Sequence, residues 1–260
     1  MGIINLTADS FYDGGKIKTD KDLLNKTEIM LSEGATILDV GAYSSRPGAT
    51  DIPLETELKN SLAGIEVILE KFPEAIISID SFRSPVCKSG IKHGASIIND
   101  ISGGELDPEM FDTVAELRAP YIMMHMRGNP QTMTQLTDYN DLVSDIIDYF
   151  NEKINLLHAK GVHDIIIDPG FGFAKTRDQN FELLNSLELL SFTDAPILSG
   201  VSRKSMIWKT LETTADEALN GTTALNTVSL MKGASILRVH DVKEAMEAIK
   251  LVDTLKQNEN

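Results

Sequence analysis

The chain has 260 residues, of which 42% are hydrophobic and 24% are charged, the composition of an ordinary globular protein. Its formal net charge of −15 disfavours binding to nucleic-acid phosphates and to anionic lipid, so neither is an expected partner. The single cysteine, Cys87, excludes an internal disulfide, and with no signal-peptide pattern or long apolar run the expected compartment is the cytoplasm.

Short β-branched segments alternate with longer segments of helical periodicity, which is the pattern of a parallel sheet built from βα units. Eight strands are predicted, at residues 2–5, 36–41, 76–80, 96–99, 121–125, 164–168, 196–199 and 235–240. Ser84 and Asp107, each followed by proline, and Asp241 with Glu244 are predicted helix N-terminal caps. The alternation favours an α/β fold, a (β/α)8 TIM barrel that occupies residues 1–260 as a single domain.

A doubly wound open sheet is the alternative fold, but it normally has a glycine-rich dinucleotide turn after its first strand, and this sequence has none. The first strand begins at Met1 and offers few residues, whereas strands usually have about five or six. We therefore expect either that an N-terminal segment is missing from the numbering or that the barrel is thinly built at this strand.

Polar side chains stand where the predicted strands end, and the active sites of such barrels lie at the carboxyl ends of the strands. Asp80, Asn99 and Asp168 supply carboxylates and an amide that suit a flat heterocycle with adjacent N–H donors. The alternative is that Asp80 and Asp168 form structural ion pairs with Lys204 or Arg238.

A second group at the same rim is basic, and its members are Arg46, Lys204, Arg238 and His240, with Arg203 as a further candidate. On a strongly acidic protein, converging cations indicate a bound anion, and the planar fork of arginine fits phosphate oxygens. Asn5 and Ser45 complete a shell for an anion or a metal–phosphate group. Salt bridges scattered over the rim are the alternative interpretation.

Two long loops, residues 7–15 and 41–53, are predicted to close over a ligand, and the turn at 168–175 is predicted to bring Phe173 to the pocket. The sequence contains no HExxH, CxxC, GxSxG or Walker motif, so zinc-protease, thiol-redox, esterase and P-loop chemistry are not indicated.

The ordered motifs of the chain resemble the signatures of the dihydropteroate synthases, a family of pterin-binding barrels. They are MGIINLTADSFYDGG, TILDVGAYSSRPGA, SIDSF, IINDISGG, IMMHMRGNP, DPGFGFAKTRDQN, GVSRKSMI and ILRVHDV. The resemblance covers nearly the whole chain. It implies a transferase of folate biosynthesis that joins 6-hydroxymethyl-7,8-dihydropterin pyrophosphate to p-aminobenzoate, uses Mg2+, is a target of sulfonamides and forms a homodimer.

Carried over by motif, the resemblance gives most of the candidate residues a role. The pterin-binding residues are Asp80, Asn99, Met124, Asp168 and Lys204. The residues implied for the pyrophosphate are Ser45, Arg46, Arg238, Val239 (through its backbone) and His240, with Asn5 as the magnesium ligand. Pro47, Phe173 and Ser202 line the p-aminobenzoate pocket, and Asp13 stabilises the substrate cation.

The chain departs from the family pattern in its loops. Ala8 and Ala174 replace proline and glycine, Ala42-Tyr43 replaces Gly-Glu, and Ser45 replaces threonine. Two rival functions remain: a pterin-binding methyltransferase barrel, which needs no pyrophosphate site, and a non-catalytic pterin- or phosphate-binding barrel that acts as a partner module.

Overall fold

The protein is described by a computed structural model that covers residues 1–6, 19–46, 48 and 50–258. The candidate residues Asp13 and Pro47 lie outside these ranges, as does the loop at 7–15. The described residues form eight parallel strands: β1 Gly2–Asn5, β2 Ile37–Gly41, β3 Ile76–Asp80, β4 Ile97–Asp100, β5 Tyr121–Met124, β6 Ile165–Asp168, β7 Leu198–Ser199 and β8 Ile236–Leu237.

The strands follow one another around a closed ring in chain order. Strands β1 to β6 form one continuous sheet and β7 pairs with β8. Two single parallel bridges join these parts, Ile167 with Ile197 and Gly2 with Val239. At the second bridge the amide of Ile3 donates to the carbonyl of Val239 at 3.0 Å. The chain is therefore a (β/α)8 barrel, as the alternation of elements predicts.

Helices cover the outside of the barrel. In the described part of the chain they are α1 Asp20–Ser32, α2 Leu54–Lys71, α3 Ser84–Lys92, α4 Met110–Leu117, α5 Leu142–Ala159, α6 Arg177–Asn185, α7 Ser205–Thr210, α8 Leu219–Met231 and α9 Val242–Gln257. The expectation of one helix per strand is wrong at β7, which is followed by the short α7 and then by α8. None of the described helices has the length and apolar character that crossing a membrane requires.

The two-residue period of the strands separates the core into an outer and an inner part. Outward residues such as Ile77 and Ile79 of β3 pack with the helices in the main apolar core. Inside the barrel, Ile97, Ile122 and Leu198 form a separate apolar layer. Residues two positions apart on a strand point to the same side. The next inward layer, toward the barrel mouth, is therefore made by residues in the carboxyl halves of the strands.

None of the three predicted caps forms as expected. Helix α4 begins at Met110 after Glu109, so Asp107 is not its N-cap, although Asp107 Oδ1 accepts from the Glu109 amide at 2.9 Å. Ser84 is the first residue of α3, and its backbone amide donates to the Asp107 carboxylate at 2.7 Å, so a remote acid caps this helix. Asp241 precedes α9 without a side-chain cap bond, because its two oxygens each accept from Arg203 at 2.8 Å. Arg203 is 7% exposed and also donates to the carbonyls of Ala215 and Asp216.

We expect Asp241→Ala to lower the free energy of unfolding by about 2 kcal/mol, because it removes the carboxylate that accepts two bonds from the buried Arg203 guanidinium. The two carbonyl acceptors of Arg203 keep the cost below that of a charge left with no partner. Urea unfolding measures the change. The matched control is Asp178→Ala, which breaks a solvent-exposed arginine pair and should change stability by less than about 0.5 kcal/mol. Equal losses in the two variants would contradict the assignment.

Candidate active site

The polar layer of the barrel lies directly above the apolar one. Asp39, Asn99 and Asp168 each stand two residues after an inward isoleucine of the same strand (37, 97 and 166), and Arg238 stands two residues after Ile236. The strand period thus places an amide, two carboxylates and a guanidinium at one level of the barrel mouth. Charged groups that are buried in this way require partners or a ligand.

Arg238 is at the centre of this layer. Its Nε donates to Asp39 Oδ2 at 2.5 Å and its Nη2 donates to Asp80 Oδ2 at 2.6 Å. The Asn99 amide donates to both oxygens of Asp39, at 3.2 and 3.1 Å. Nη1 of Arg238 has no acceptor among the described residues, and its side chain is 20% exposed. Arg238 is therefore held by two carboxylates with one donor position left for a ligand.

The burial of this layer changes the pKa values of its groups. Burial, with the neighbouring Asp39 carboxylate, raises the pKa of Asp80 to about 7 against the opposing effect of Arg238. Burial disfavours the Arg238 guanidinium, but Asp39 and Asp80 outweigh it and raise the pKa of Arg238. The arginine stays charged, whereas Asp80 is poised to change its charge near neutral pH.

Asp168 and Lys204 form the next part of the site. The Asp168 Oδ1 accepts from the backbone amide of Gly170 at 2.7 Å. The Lys204 ammonium donates to the carbonyl of Phe171 and lies 4.9 Å from the centre of the Phe173 ring. Burial lowers the pKa of Lys204 to about 8 although the Asp168 carboxylate opposes this. Burial likewise raises the pKa of Asp168, and Lys204 is the main group that opposes it.

The turn after β6 has several residues in the left-handed backbone region, with φ of 70° at Gly170, 82° at Gly172 and 48° at Ala174. A Cβ at Gly170 would lie 2.1 Å from the carbonyl oxygen of His125, so only glycine fits there. Ala174 occupies the position where glycine is usual in the resembled family, and it adopts a positive φ at some cost in strain.

A buried lysine that the sequence analysis did not single out supports this turn. The Lys175 ammonium contacts His125 Nδ1 at 3.0 Å and donates to the carbonyls of Gly170 and Phe173 at 3.1 and 3.0 Å. Burial lowers the pKa of His125 well below its ordinary value, and Lys175 adds to this. A neutral imidazole that accepts at Nδ1 fits the contact.

Ser202 and His240 meet at the other side of the rim. The Ser202 hydroxyl accepts from the backbone amide of His240 at 3.2 Å and lies 3.0 Å from the ring Nδ1. Burial lowers the pKa of His240 well below its ordinary value, and Lys26, Arg238, Arg203 and Arg46 act in the same direction. The lowered pKa favours the neutral form of the ring, whereas the sequence analysis groups His240 with the cations. A neutral ring with its proton on Nε2 fits a Ser202 hydroxyl that donates to Nδ1 while it accepts from the His240 amide.

Arg203, the further candidate for the cationic group, is committed elsewhere. Asp241 and two backbone carbonyls hold its guanidinium at the start of α9. Its contribution to the rim is thus structural. Arg46, by contrast, is half-buried and near enough to His240 to affect its pKa.

A small apolar cluster forms a wall beside the polar layer. Met124, which is 3% exposed, packs with Ile101, Met126 and Met133, and the rings of Phe82 and Phe173 border the cluster. Both Met124 and Phe173 are candidates for contact with a flat ring. The structure brings them into one cluster, at the end of β5 and in the turn after β6.

The remaining candidates lie at the ends of β1, β2 and β8. Asn5 ends β1 in register with Gly41, the last residue of β2, and Ser45 follows four residues later; both side chains are half-buried. Val239 is 2% exposed, and its backbone joins β8 to β1. Asp39 is one of the polar residues at the predicted strand ends, but the sequence analysis assigned it no role in the site. The signal for it was a charged residue at an inward position of an otherwise apolar strand.

Comparisons with known proteins agree in one family. Residues 1–240 match the family model of pterin-binding enzymes. The chain is 40% identical over 263 residues to the Escherichia coli dihydropteroate synthase, an alignment that covers 100% of this chain and 93% of the relative.

Solved structures show the same likeness. The Yersinia pestis dihydropteroate synthase with a sulfonamide drug has a TM-score of 0.95 at 36% identity, covering 99% of this chain and 94% of the other. The Xanthomonas albilineans dihydropteroate synthase in complex with 7,8-dihydropteroate has a TM-score of 0.86 at 31% identity, covering 98% and 92%.

Proposed function

The chain belongs to the dihydropteroate synthases within the pterin-binding enzymes, and from this premise we propose how its residues carry out the reaction. The reaction condenses 6-hydroxymethyl-7,8-dihydropterin pyrophosphate with p-aminobenzoate, giving 7,8-dihydropteroate and pyrophosphate. The enzyme is thus a transferase of folate biosynthesis, and residues 1–260 are proposed to act as one domain. The observation that carries the residue assignments is the Asp39–Arg238–Asp80 contact, which joins an acidic half of the rim to a basic one.

The acidic half is proposed to bind the pterin. Asp168 and Asp80 present carboxylate oxygens that suit the amidine-like edge of the ring, and Asn99 offers an amide that both donates and accepts. Lys204 donates to a ring acceptor from beside Asp168. Met124 packs on the face of the ring from the apolar wall.

The basic half is proposed to bind the pyrophosphate. Arg238 Nη1 and the Nε2–H of His240 donate to phosphate oxygens, and Arg46 with Ser45 and the backbone of Val239 completes the shell. Arg238 then touches both halves, because its other nitrogens stay on Asp39 and Asp80. In this proposal the CH2–O bond that must break lies at the boundary between the two halves.

We propose that the CH2–O bond to pyrophosphate breaks first or largely first. The reduced pterin delocalises the positive charge on the methylene, and the carboxylates of Asp80 and Asp168 favour that charge. Arg46 and Arg238 stabilise the leaving pyrophosphate. The amine of p-aminobenzoate then attacks the methylene and passes its proton to the released pyrophosphate or to water. Because the amine attacks the methylene directly, no covalent enzyme intermediate is required.

The arylamine pocket is proposed to comprise Phe173, Ser202 and Pro47, and Asp13 is proposed to stabilise the cation. Asp13 and Pro47 lie outside the described residues, so these two roles rest on the family motif. The centre of the Phe173 ring lies 4.9 Å from the Lys204 ammonium, and the Ser202 hydroxyl lies 3.0 Å from His240 Nδ1. Both contacts support a pocket between the two halves of the rim. A sulfonamide should compete with p-aminobenzoate for it.

Asn5 is proposed to hold Mg2+. The ion takes oxygen donors, usually one or two from the protein with the rest from phosphate and water. The amide oxygen of Asn5, half-buried beside the start of the loop that carries Ser45, fits this pattern. When bound, the ion would neutralise charge on the leaving pyrophosphate.

The pH dependence of the reaction should be a narrow bell. Asp80 acts as a carboxylate, so kcat/KM rises with pH through its pKa of about 7. Lys204 acts as an ammonium, so kcat/KM falls as pH rises through its pKa of about 8. In Lys204→Arg the basic limb should move above about pH 10, because a guanidinium keeps its proton there. The exposed Lys209→Arg is the control, and a basic limb that stays near pH 8 in Lys204→Arg contradicts the assignment.

We propose a homodimer in the cytoplasm. Apolar side chains are exposed on neighbouring helices, Val228 and Met231 of α8 and Leu251 and Leu255 of α9, and such a face suits a second copy of the chain. Cys87 is buried and free, which agrees with a reducing compartment. Light scattering of the purified protein tests the dimer, and Leu251→Glu with Leu255→Glu should give monomers. Cell fractionation tests the compartment.

Pyrophosphate release tests the proposal as a whole. Release should require both the dihydropterin pyrophosphate and p-aminobenzoate, should stop on addition of EDTA and should return with Mg2+. Asn5→Ala should need more Mg2+ than the wild type. A methyltransferase or a non-catalytic binding barrel would release no pyrophosphate when p-aminobenzoate is added, so the absence of release would favour one of these two functions.

A further inference from the structure

Arg83 lies just outside the site and has no role in the scheme above. It follows β3 by three residues, and its guanidinium bonds the far end of the segment between β2 and α2. Nη1 donates to the carbonyl of Ile52 at 2.8 Å, and Nη2 donates to Asp51 Oδ1 at 2.7 Å. The side chain is 18% exposed, so these bonds are partly shielded from water.

The same guanidinium also contacts the near end of that segment. Its central carbon lies 5.2 Å from the centre of the Tyr43 ring and 5.4 Å from that of Phe82. The two rings pack edge to face, with centres 4.9 Å apart. Arg83 therefore touches the segment at Tyr43 and again at Asp51 and Ile52. Ser45 and Arg46 lie between these contacts.

The buried carboxylate of Glu57 also holds the Arg83 guanidinium in place. Nη1 of Arg83 donates to Glu57 Oε2 at 2.9 Å, and the other oxygen of Glu57 accepts from the Ser81 hydroxyl at 2.6 Å. The side chain of Glu57 has no exposed surface. Ser81 is the residue after Asp80, so one network connects the end of β3 to the segment after β2.

We propose that Arg83 is a positioning residue that holds the segment between β2 and α2 at both ends, so that Ser45 and Arg46 face the pyrophosphate next to the proposed arylamine pocket. The inference rests on the proposed roles of Ser45 and Arg46. A planar guanidinium suits the task because it bonds in its plane and stacks on rings at the same time. Loss of this clamp should weaken binding at the basic half and leave the pterin half intact.

A purely structural ion pair makes a different prediction. If Arg83 only neutralises the buried Glu57, its loss lowers stability and all kinetic constants suffer together. Removing both charges would then restore function. The double variant Arg83→Met with Glu57→Gln distinguishes the two roles, because the amide oxygen introduced at position 57 can still accept from Ser81 and no buried charge is left unpaired.

The experiment measures KM for p-aminobenzoate and for the dihydropterin pyrophosphate, together with Kd for 6-hydroxymethylpterin, which lacks the pyrophosphate. The variants are Arg83→Met, the double variant and Arg83→Lys, which keeps the charge but loses the fork and the planar stack. The matched control is Lys88→Met, which removes a cation from the surface ion pair between Lys88 of α3 and Glu116 of α4. Arg46→Ala is the reference variant, because it directly removes a proposed pyrophosphate-binding residue.

We expect both KM values to rise between about ten- and a hundred-fold in the double variant and in Arg83→Lys, because small misplacements of binding groups are costly. Kd for 6-hydroxymethylpterin should stay within about two-fold of the wild type. Restored KM values in the double variant, or a parallel rise in the pterin Kd, overturn the proposal. If Arg46→Ala itself has normal KM values, the roles of Ser45 and Arg46 are wrong. If Arg46→Ala has raised KM values but the Arg83 variants have normal ones, the positioning role of Arg83 is refuted and the roles of Ser45 and Arg46 stand.

Discussion

Replacing Arg238 with methionine should lower kcat/KM for the dihydropterin pyrophosphate about a thousand-fold, or about 4 kcal/mol of transition-state stabilisation. Among the described residues, Arg238 is the one side chain that forms hydrogen bonds to both Asp39 and Asp80. Its loss removes a donor to the leaving pyrophosphate. It also leaves two buried carboxylates close together without a cation, so Asp80 should be protonated at neutral pH.

These two effects can be separated by a second change. In Arg238→Met with Asp39→Asn, one of the unpaired charges is gone and the Asn99 amide can still donate to residue 39. We expect the double variant to regain most of the stability lost in urea unfolding but little of the activity. The surface variant Arg177→Met is the control for removal of an arginine. Normal turnover in Arg238→Met means that the pyrophosphate is bound elsewhere.

The sequence predicts the strands well where their sheet is continuous. The bounds of β1 and β3 agree with the prediction, those of β2, β5 and β6 differ by one residue at one end, and those of β4 differ by one residue at both ends. Strands β7 and β8 are much shorter than predicted. Val239, inside the predicted last strand, makes a single bridge to β1, so the chain remains extended where its regular ladder has ended.

The site was predicted less completely, because partners far apart in the chain decide the role of a charged residue. Asp39 resembles any strand residue until Arg238, which is 199 positions away, is seen to bond it. Arg203 stands between two site residues, yet Asp241 removes it from the rim. The pKa of His240 could not be predicted from its residue type, because burial and nearby cations lower it.

Asp168→Asn should weaken pterin binding by several hundred-fold, or about 3.5 kcal/mol. The carboxylate is 5% exposed, and Oδ1 already accepts from the Gly170 amide, so Oδ2 is the oxygen that can receive the ring N–H groups. An asparagine keeps the shape but must direct its NH2 group at one of these donors. It also removes the counter-charge beside Lys204, so the pKa of Lys204 should fall further below 8.

Titration calorimetry with 6-hydroxymethylpterin measures this loss, and the basic limb of the pH profile of Asp168→Asn reports the second effect. Asp164→Asn is the matched control, because Asp164 is exposed just before the opposite end of the same strand. The control should bind the pterin normally. A large loss in Asp168→Asn with an unchanged KM for p-aminobenzoate at saturating pterin locates the acid in the pterin half of the rim. Equal losses for both substrates would instead mean that Asp168 supports the turn after β6, through Gly170, and that the ring is recognised by other groups.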